Sequence, residues 1–215
     1  MDFSFLDKYW IYFVKGTEWT IFLSVFTVLF GFIIGVVLAL LRMSNIKVIK
    51  FIAVAYIEFM RGTPLLVQIY LIYYCLPFAG VTLPDYVAAI LTLSLNSGAY
   101  IAEIFRAGIQ NLDKGQMEAA RSLGMPHRMA MRYIVLPQAF RNILPALGNE
   151  LVVVIKESSI VSVIGITELM YQADTVRGIF ARPFEPLIIA AIVYFIMTFT
   201  LSKLLGRWEG RLKRA

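Results

Sequence analysis

Ionisable and amide side chains recur inside runs that are otherwise apolar, and their spacing suits recognition of a polar solute. Glu58 and Arg61 are three residues apart, as are Glu103 and Arg106, so each pair can meet on one helix face. Asp85, Thr92, Asn96, Tyr100 and Glu103 follow one another at steps of 7, 4, 4 and 3, which keeps them on roughly one side of a helix. An ionisable group is costly in hydrocarbon, so such a stripe faces a wet cavity or a neighbouring helix. Gly62-Thr63-Pro64 breaks the run that carries Glu58 and Arg61. Threonine is a good N-cap and proline suits the first helical position, so a half-helix is expected to begin at Thr63. Its free amides and positive dipole end would suit a carboxylate, with Gln68 one turn further on. Packing alone would also account for the break. Lys156, Glu157, Ser158 and Ser159 interrupt a later apolar run. The candidates for substrate contact are therefore Glu58, Thr63, Gln68, Asn96, Tyr100, Glu103 and Lys156. A structural ion pair or an inter-helix hydrogen bond is the alternative for each.

Covalent chemistry has little support. A lone histidine, His127, and a lone cysteine, Cys75, supply neither a metal cluster nor a disulfide. No Ser-His-Asp set or cofactor motif stands out, so no catalytic residue, metal ligand or cofactor is expected.

The elements that must carry these groups are membrane helices. The chain is 60% hydrophobic and only 16% charged over 215 residues, too apolar for one soluble core. Trp19–Leu41 holds no charge and is long enough to cross a bilayer. Further spans are expected at about 51–78, split at Gly62-Thr63-Pro64, at about 85–107, at roughly 145–166 and at 186–202. That makes an all-α integral membrane protein of about five spanning helices. The acidic start, Met1-Asp2-Phe3-Ser4-Phe5-Leu6-Asp7, argues against a cleaved signal peptide. No internal repeat is visible, and an odd span number does not divide into two inverted halves.

Charge sets the orientation. With the N-terminus outside, the inner side collects fourteen cations: Arg42, Lys47, Lys50, Arg106, Lys114, Arg121, Arg128, Arg132, Arg141, Lys203, Arg207, Arg211, Lys213 and Arg214. The outer side holds four, Lys8, Lys15, Arg177 and Arg182. Cytoplasmic loops collect Lys and Arg, so the C-terminus and the segment 108–144 are placed in the cytoplasm.

That segment carries the most specific pattern. Asp113 and Gln116 have the spacing of a capping box, Gln116–Leu123 is good helix former, Gly124 suits a C′ stop, and Pro126 cannot continue the helix. A two-turn helix is marginal alone in water and needs a surface to pack against. A second helix, from about His127 to Phe140, is expected to be interrupted near Pro137. An ordinary connector and a docking element for a soluble partner are both consistent with this.

Glu118-Ala119-Ala120, three residues, Gly124, nine residues, then Ile134-Val135-Leu136-Pro137 resembles the EAA loop of ABC importer permeases, EAA-x3-G-x9-I-x-LP, in every residue and spacing. Glu58–Gln68, Ser97–Arg106 and Leu136–Arg141 resemble the branch that serves polar amino acids of the histidine, arginine, glutamine and glutamate type, over about residues 17–205. The resemblance implies one transmembrane domain over 1–215 with the type I importer fold, in a bacterial inner membrane. It implies a coupling helix docked in a cleft of an ATP-hydrolysing subunit, with Glu118, Ala119, Ala120 and Gly124 as the coupling residues. Glu118 would pair with a basic residue of that subunit, and Gly124 would bend the following turn. It further implies a dimer of ATPase subunits, a second permease subunit and an external solute-binding protein. No G-x-x-x-x-G-K-[ST] occurs, so ATP and magnesium are expected on the partner, and the chain itself is not an enzyme. A cationic amino acid is the substrate hypothesis, because Glu58, Asp85, Glu103 and Glu150 outnumber the cations of the membrane region. The rival readings are an ion-gradient carrier, which would leave the EAA pattern without a role, and a membrane scaffold.

Overall fold

The computed structural model describes residues 2–212; Lys213 and Arg214 of the C-terminal cation group lie outside them. Every regular element among the described residues is helical. Helix α1, Leu6–Arg42, runs 37 residues, about 55 Å at 1.5 Å per residue, far longer than a span requires. Its outer third rests on α8, Leu169–Phe180, and α9, Glu185–Leu212, through Phe5, Phe13, Leu169, Ala173, Val176 and Ala190.

The inner two thirds of α1 lie along α4, Asp85–Gln110. The two helices are parallel: Gly31 meets Ser97, Gly35 meets Ile101, and Arg42 reaches Glu103. Small residues let the backbones close, as membrane packing favours. A Cβ on Gly35 would sit 2.5 Å from Ile101 Cγ2, and one on Gly98 would sit 2.6 Å from Ile34 Cγ2. Gly35→Val is therefore expected to cost about 1–3 kcal/mol by overpacking. Gly62, with open space around it, is the control. Thermal unfolding in detergent checks this: Gly62→Ala unchanged and Gly35→Val several degrees lower is the expected result.

Helix α7, Leu136–Glu157, runs antiparallel to α4, with Ile143 against Gly108 and Glu150 against Ser97. Helix α9 starts beside the N-terminal segment, where Arg182 and Glu185 bind Asp2, and passes Gly148 with Leu205. Donation from the Ser4 amide and from Arg182 holds the Asp2 carboxyl well below the usual carboxylate range. The N-terminus and the α8–α9 turn thus share one pole. The ends of α1, α4 and α9 share the other, where the cations collect, and positive charge marks that pole as cytoplasmic.

By length and apolarity alone, fewer than the expected five segments stand out as spans among the described residues. Among the described residues, three single helices are long and apolar enough to cross a membrane: Leu6–Arg42, Asp85–Gln110 and the stretch 185–210 of α9. A fourth qualifies if α2, Lys47–Gly62, and the stretch Leu65–Ala79 are taken as one broken span, bent by 108°. These two pieces were expected in series; they are not collinear. The span expected at 145–166 ends early as an α-helix. It stops at Glu157, its polar residues lower its apolarity, and a 3₁₀ turn, Ser158–Ile164, completes it before left-handed Gly165.

Helix α8 has no counterpart in the sequence reading. Glu168 caps it, accepting from Met170 N at 2.9 Å, Tyr171 N at 2.8 Å and Tyr194 Oη at 2.6 Å. Fully buried, this carboxylate ties the end of the 3₁₀ segment to α9.

Candidate functional site

Proline pushes the residue before it out of helical conformation, so Thr63 is extended (φ −113°, ψ 143°) and α2 stops at Gly62. The short helix α3, Leu65–Tyr70, then starts one turn of backbone later, with Pro64 rather than Thr63 at its cap position and no side-chain cap. The half-helix therefore does not begin at Thr63. The Thr63 hydroxyl instead donates back to Phe59 O, at 2.9 Å. The amides of Val67 and Gln68 bond Pro64 O, and those of Leu65 and Leu66 at the helix start have no hydrogen-bond partner among the described residues. A single π turn, Leu71–Cys75, follows.

Gln68 closes the break. It is 3% exposed and donates through Nε2 to Met60 O (2.7 Å), Thr63 O (3.0 Å) and Thr63 Oγ1 (2.9 Å). Its Oε1 accepts from Asn96 Nδ2 at 2.9 Å. Carbonyls released by a broken helix must find donors when water is excluded, and Gln68 and Asn96 supply them. Three sequence candidates, Thr63, Gln68 and Asn96, are thus brought together across α2, α3 and α4.

A second group forms further along α4. Glu103 binds Arg42 Nη1 through Oε2 at 2.6 Å, and Arg106 Nε through Oε1 at 2.7 Å. Arg61 Nη1 stands 4.0 Å from the same carboxylate and lies over the Tyr100 ring, 5.5 Å from its centroid. The expected Glu103–Arg106 pair therefore forms within a larger knot that joins α1, α2 and α4. The expected Glu58–Arg61 pair does not form: Arg61 turns to Tyr100 and Glu103, and Glu58 is exposed.

The polar stripe of α4 is divided. Asp85 accepts from Tyr73 Oη at 3.1 Å at the outer end, and buried Thr92 bonds its own helix at Ala88 O. Lys156 is exposed on α7, apart from both groups. Glu150, outside the seven substrate candidates, is a further buried carboxylate on α7. It is 8% exposed and accepts from Ser97 Oγ at 2.9 Å, with no cation within 4 Å among the described residues. Glu150 is visible in the sequence as a carboxylate in an apolar run, but its pairing across 53 positions is not.

The segment between α4 and α7 folds in part as its residue types require. Helix α5, Lys114–Ser122, is capped by Asp113, whose Oδ1 accepts from Gly115 N at 2.8 Å. Gln116 does not complete the box; its Oε1 accepts from Gln138 Nε2 at 3.2 Å and so ties α5 to α7. Gly124 adopts φ +82°, Gly124 N bonds Arg121 O, and Met125 N bonds Ala120 O, the paired bonds of a Schellman stop. Helix α6, His127–Ala130, passes through a π turn, Met131–Val135, straight into α7. The extra residue in that turn accommodates Pro137, which cannot donate and would otherwise crowd the preceding carbonyls. Ala120 is buried, whereas Glu118, Ala119 and Leu123 face outward. The element thus presents one carboxylate, a slim alanine surface and an 85% exposed leucine at the cationic pole.

Residues 31–214 match the family described as binding-protein-dependent transport system inner membrane component. An arginine transport system permease protein of Bacillus subtilis is 40% identical over 214 residues, with 99% of this chain and 98% of that one covered. A protein of Rickettsia bellii, provisionally named as a glutamine transport system permease protein, is 42% identical over 193 residues, covering 89% and 88%. A chain from the crystal structure of an amino acid ABC transporter with histidines is 53% identical, with TM-score 0.95 and 98% and 99% coverage. The methionine ABC transporter in an inward-facing conformation shares the fold at TM-score 0.77 and 19% identity, covering 99% of each chain.

Proposed function

This chain belongs to the family of binding-protein-dependent transport system inner membrane components, and on that premise we propose that it is a permease driven through α5 by a separate ATP-hydrolysing subunit. It is the permease subunit of an amino acid ABC transporter in a bacterial inner membrane. The family match over 31–214 and the amino acid relatives support this over an ion-gradient carrier or a scaffold. The observation that carries the mechanism is α5 itself: capped, sharply stopped, tied to α7 by Gln138 and outward-facing at Glu118 and Ala119.

Two ATPase subunits would each grip one such helix, on this chain and on a second permease subunit, alike or related. ATP and magnesium belong to those subunits. Their closure on ATP would move α5, and with it α7, whose far end carries Glu150 and Lys156 beside the 3₁₀ segment. The solute, delivered by an external binding protein, would pass the seam between α2, α3 and α4. Its polar lining begins with Thr63, Gln68 and Asn96 and continues past Tyr100 and Glu103, with Glu58 at its edge.

The substrate is a polar amino acid, and a cationic one on the following reading. Glu103 is neutralised by arginines and Asp85 is held by Tyr73, so the acidity that suggested a cationic solute narrows to Glu150 and Glu58. Glu150 is buried with one hydroxyl partner, and a bound cation would complement it. The test is ATPase stimulation in the reconstituted complex with binding protein and a panel of amino acids. Glu150→Gln should lower stimulation by arginine about tenfold or more, while any response to glutamine persists. Stimulation by neutral or acidic amino acids alone would overturn the cationic reading. Hydrolysis and transport without any added ATPase subunit would overturn the importer.

A further inference from the structure

On the reading that the seam between α2, α3 and α4 carries the solute, we propose that Arg61 is the inner gate of that path. Its guanidinium closes the path when it lies on Tyr100 and opens it when it swings to Glu58. Asn96 and Tyr100 are one turn apart on α4, so a solute leaving the Gln68–Asn96 group for the cytoplasmic pole meets Tyr100 next. Arg61 stands there, its guanidinium carbon 5.5 Å from the centre of the ring.

Arg61 is the loosest member of the knot. Glu103 gives Oε2 to Arg42 at 2.6 Å and Oε1 to Arg106 Nε at 2.7 Å, while Arg61 stays at 4.0 Å. It is also the most exposed of the three arginines, 34% against 15% and 29%. Its backbone is pinned: Met60 O, the carbonyl before it, accepts from Gln68 Nε2 at 2.7 Å and from Asn96 Nδ2 at 3.3 Å. The side chain alone is left to move, and Gly62 beside it has open space around it. Glu58 lies three residues back on α2, exposed, with no cation within 4 Å among the described residues. That spacing brings its carboxylate within reach of Arg61 by a rotamer change, with no shift of the helix. One seat offers the ring face and the edge of the knot, the other an unpaired carboxylate, so the side chain has two positions.

Charge gives the swing its use. On Tyr100, Arg61 makes three guanidinium groups against the one carboxylate of Glu103, and a cationic solute is repelled. On Glu58 it is neutralised, the ring face is bared, and a cationic solute can take the place that the guanidinium held. One side chain thus blocks the path by bulk and by like charge, and a single movement relieves both. Glu103 keeps Arg42 and Arg106 throughout, so the frame of the bundle is untouched.

ATP-driven arginine uptake into proteoliposomes that hold the permease, its ATPase subunit and the binding protein tests this. Glu58→Gln leaves the guanidinium without its second seat and should lower kcat about tenfold, with KM and thermal unfolding unchanged. Adding Arg61→Gln to Glu58→Gln should bring kcat back to within about twofold of the parent, because a path without the gate needs no second seat. Arg61→Met should suppress the defect equally, which keeps the result independent of how one replacement folds. Glu58→Gln that transports like the parent overturns the gate. So does a raised KM that neither replacement of Arg61 relieves, which would make Glu58 a ligand of the solute. A parent complex that takes up no arginine overturns the underlying reading and the gate with it, so the parent alone tells the two failures apart.

Discussion

Glu118→Lys is expected to abolish uptake while the chain still inserts and folds. The carboxylate is exposed at the middle of α5 and has no ion-pair partner within 4 Å among the described residues. What stabilises α5 lies elsewhere, in the Asp113 cap, the Schellman stop at Gly124 and the Gln116–Gln138 tie. Reversing the charge therefore leaves this chain's own fold intact and falls on whatever grips the helix. Loss of one member of an interfacial charge pair costs about 2–5 kcal/mol, and reversal costs no less. That is roughly 30- to several-thousand-fold in affinity for the ATPase subunit. Titration of the purified subunit against the permease in nanodiscs measures it directly. Glu118→Gln should fall between parent and Glu118→Lys. A Glu118→Lys complex that assembles and transports normally would remove α5 from the coupling role.

The loop was legible because its determinants are local. Asp113, Gly115, Gly124 and Pro126 settle a start and a stop within fourteen positions, and each uses a bond to a near neighbour. The same holds for α4, whose length and polar stripe needed only one continuous run. Gln116 shows where locality fails. Its spacing fits a capping box, but Gln138, 22 positions on, competes for its side chain and wins.

What was not legible depends on distant pairs or on the direction of a break. Gly62-Thr63-Pro64 announces an interruption but not its angle, and the two pieces meet at 108° where halves in series were expected. The turn is fixed by Gln68 and Asn96 reaching back to Met60 O, contacts that no spacing rule supplies. The i, i+3 spacing pairs Arg61 with Glu58, yet the fold offers Tyr100 and Glu103. In sequence Arg42 is one more loop cation, although it is the residue that ties α1 to Glu103 across 61 positions. Helix α8 escapes for a different reason: its cap bonds are local, from the Met170 and Tyr171 amides, but they go to Glu168, and glutamate is not among the favoured N-cap residues.

The Glu103 knot separates a structural role from a substrate role. Glu103→Ala removes the carboxylate on which Arg42 and Arg106 close and toward which Arg61 points, leaving three guanidinium groups facing one another at 15% to 34% exposure. Breaking a largely buried ion pair by deleting one side costs about 3–5 kcal/mol, and partial solvent access brings this to about 3 kcal/mol. Arg42→Gln alone should cost far less, about 1 kcal/mol, because Glu103 keeps Arg106. The double variant Glu103→Ala with Arg42→Gln should regain about 1 kcal/mol over Glu103→Ala, since one of the repelling charges is gone. Thermal or denaturant unfolding of the four proteins gives this coupling. Were Glu103 instead a direct ligand of the solute, its loss would raise the KM for transport in a protein of unchanged stability, and removing Arg42 would restore nothing. A stable Glu103→Ala permease with weakened uptake would thus move Glu103 from the frame of the bundle into the path of the substrate.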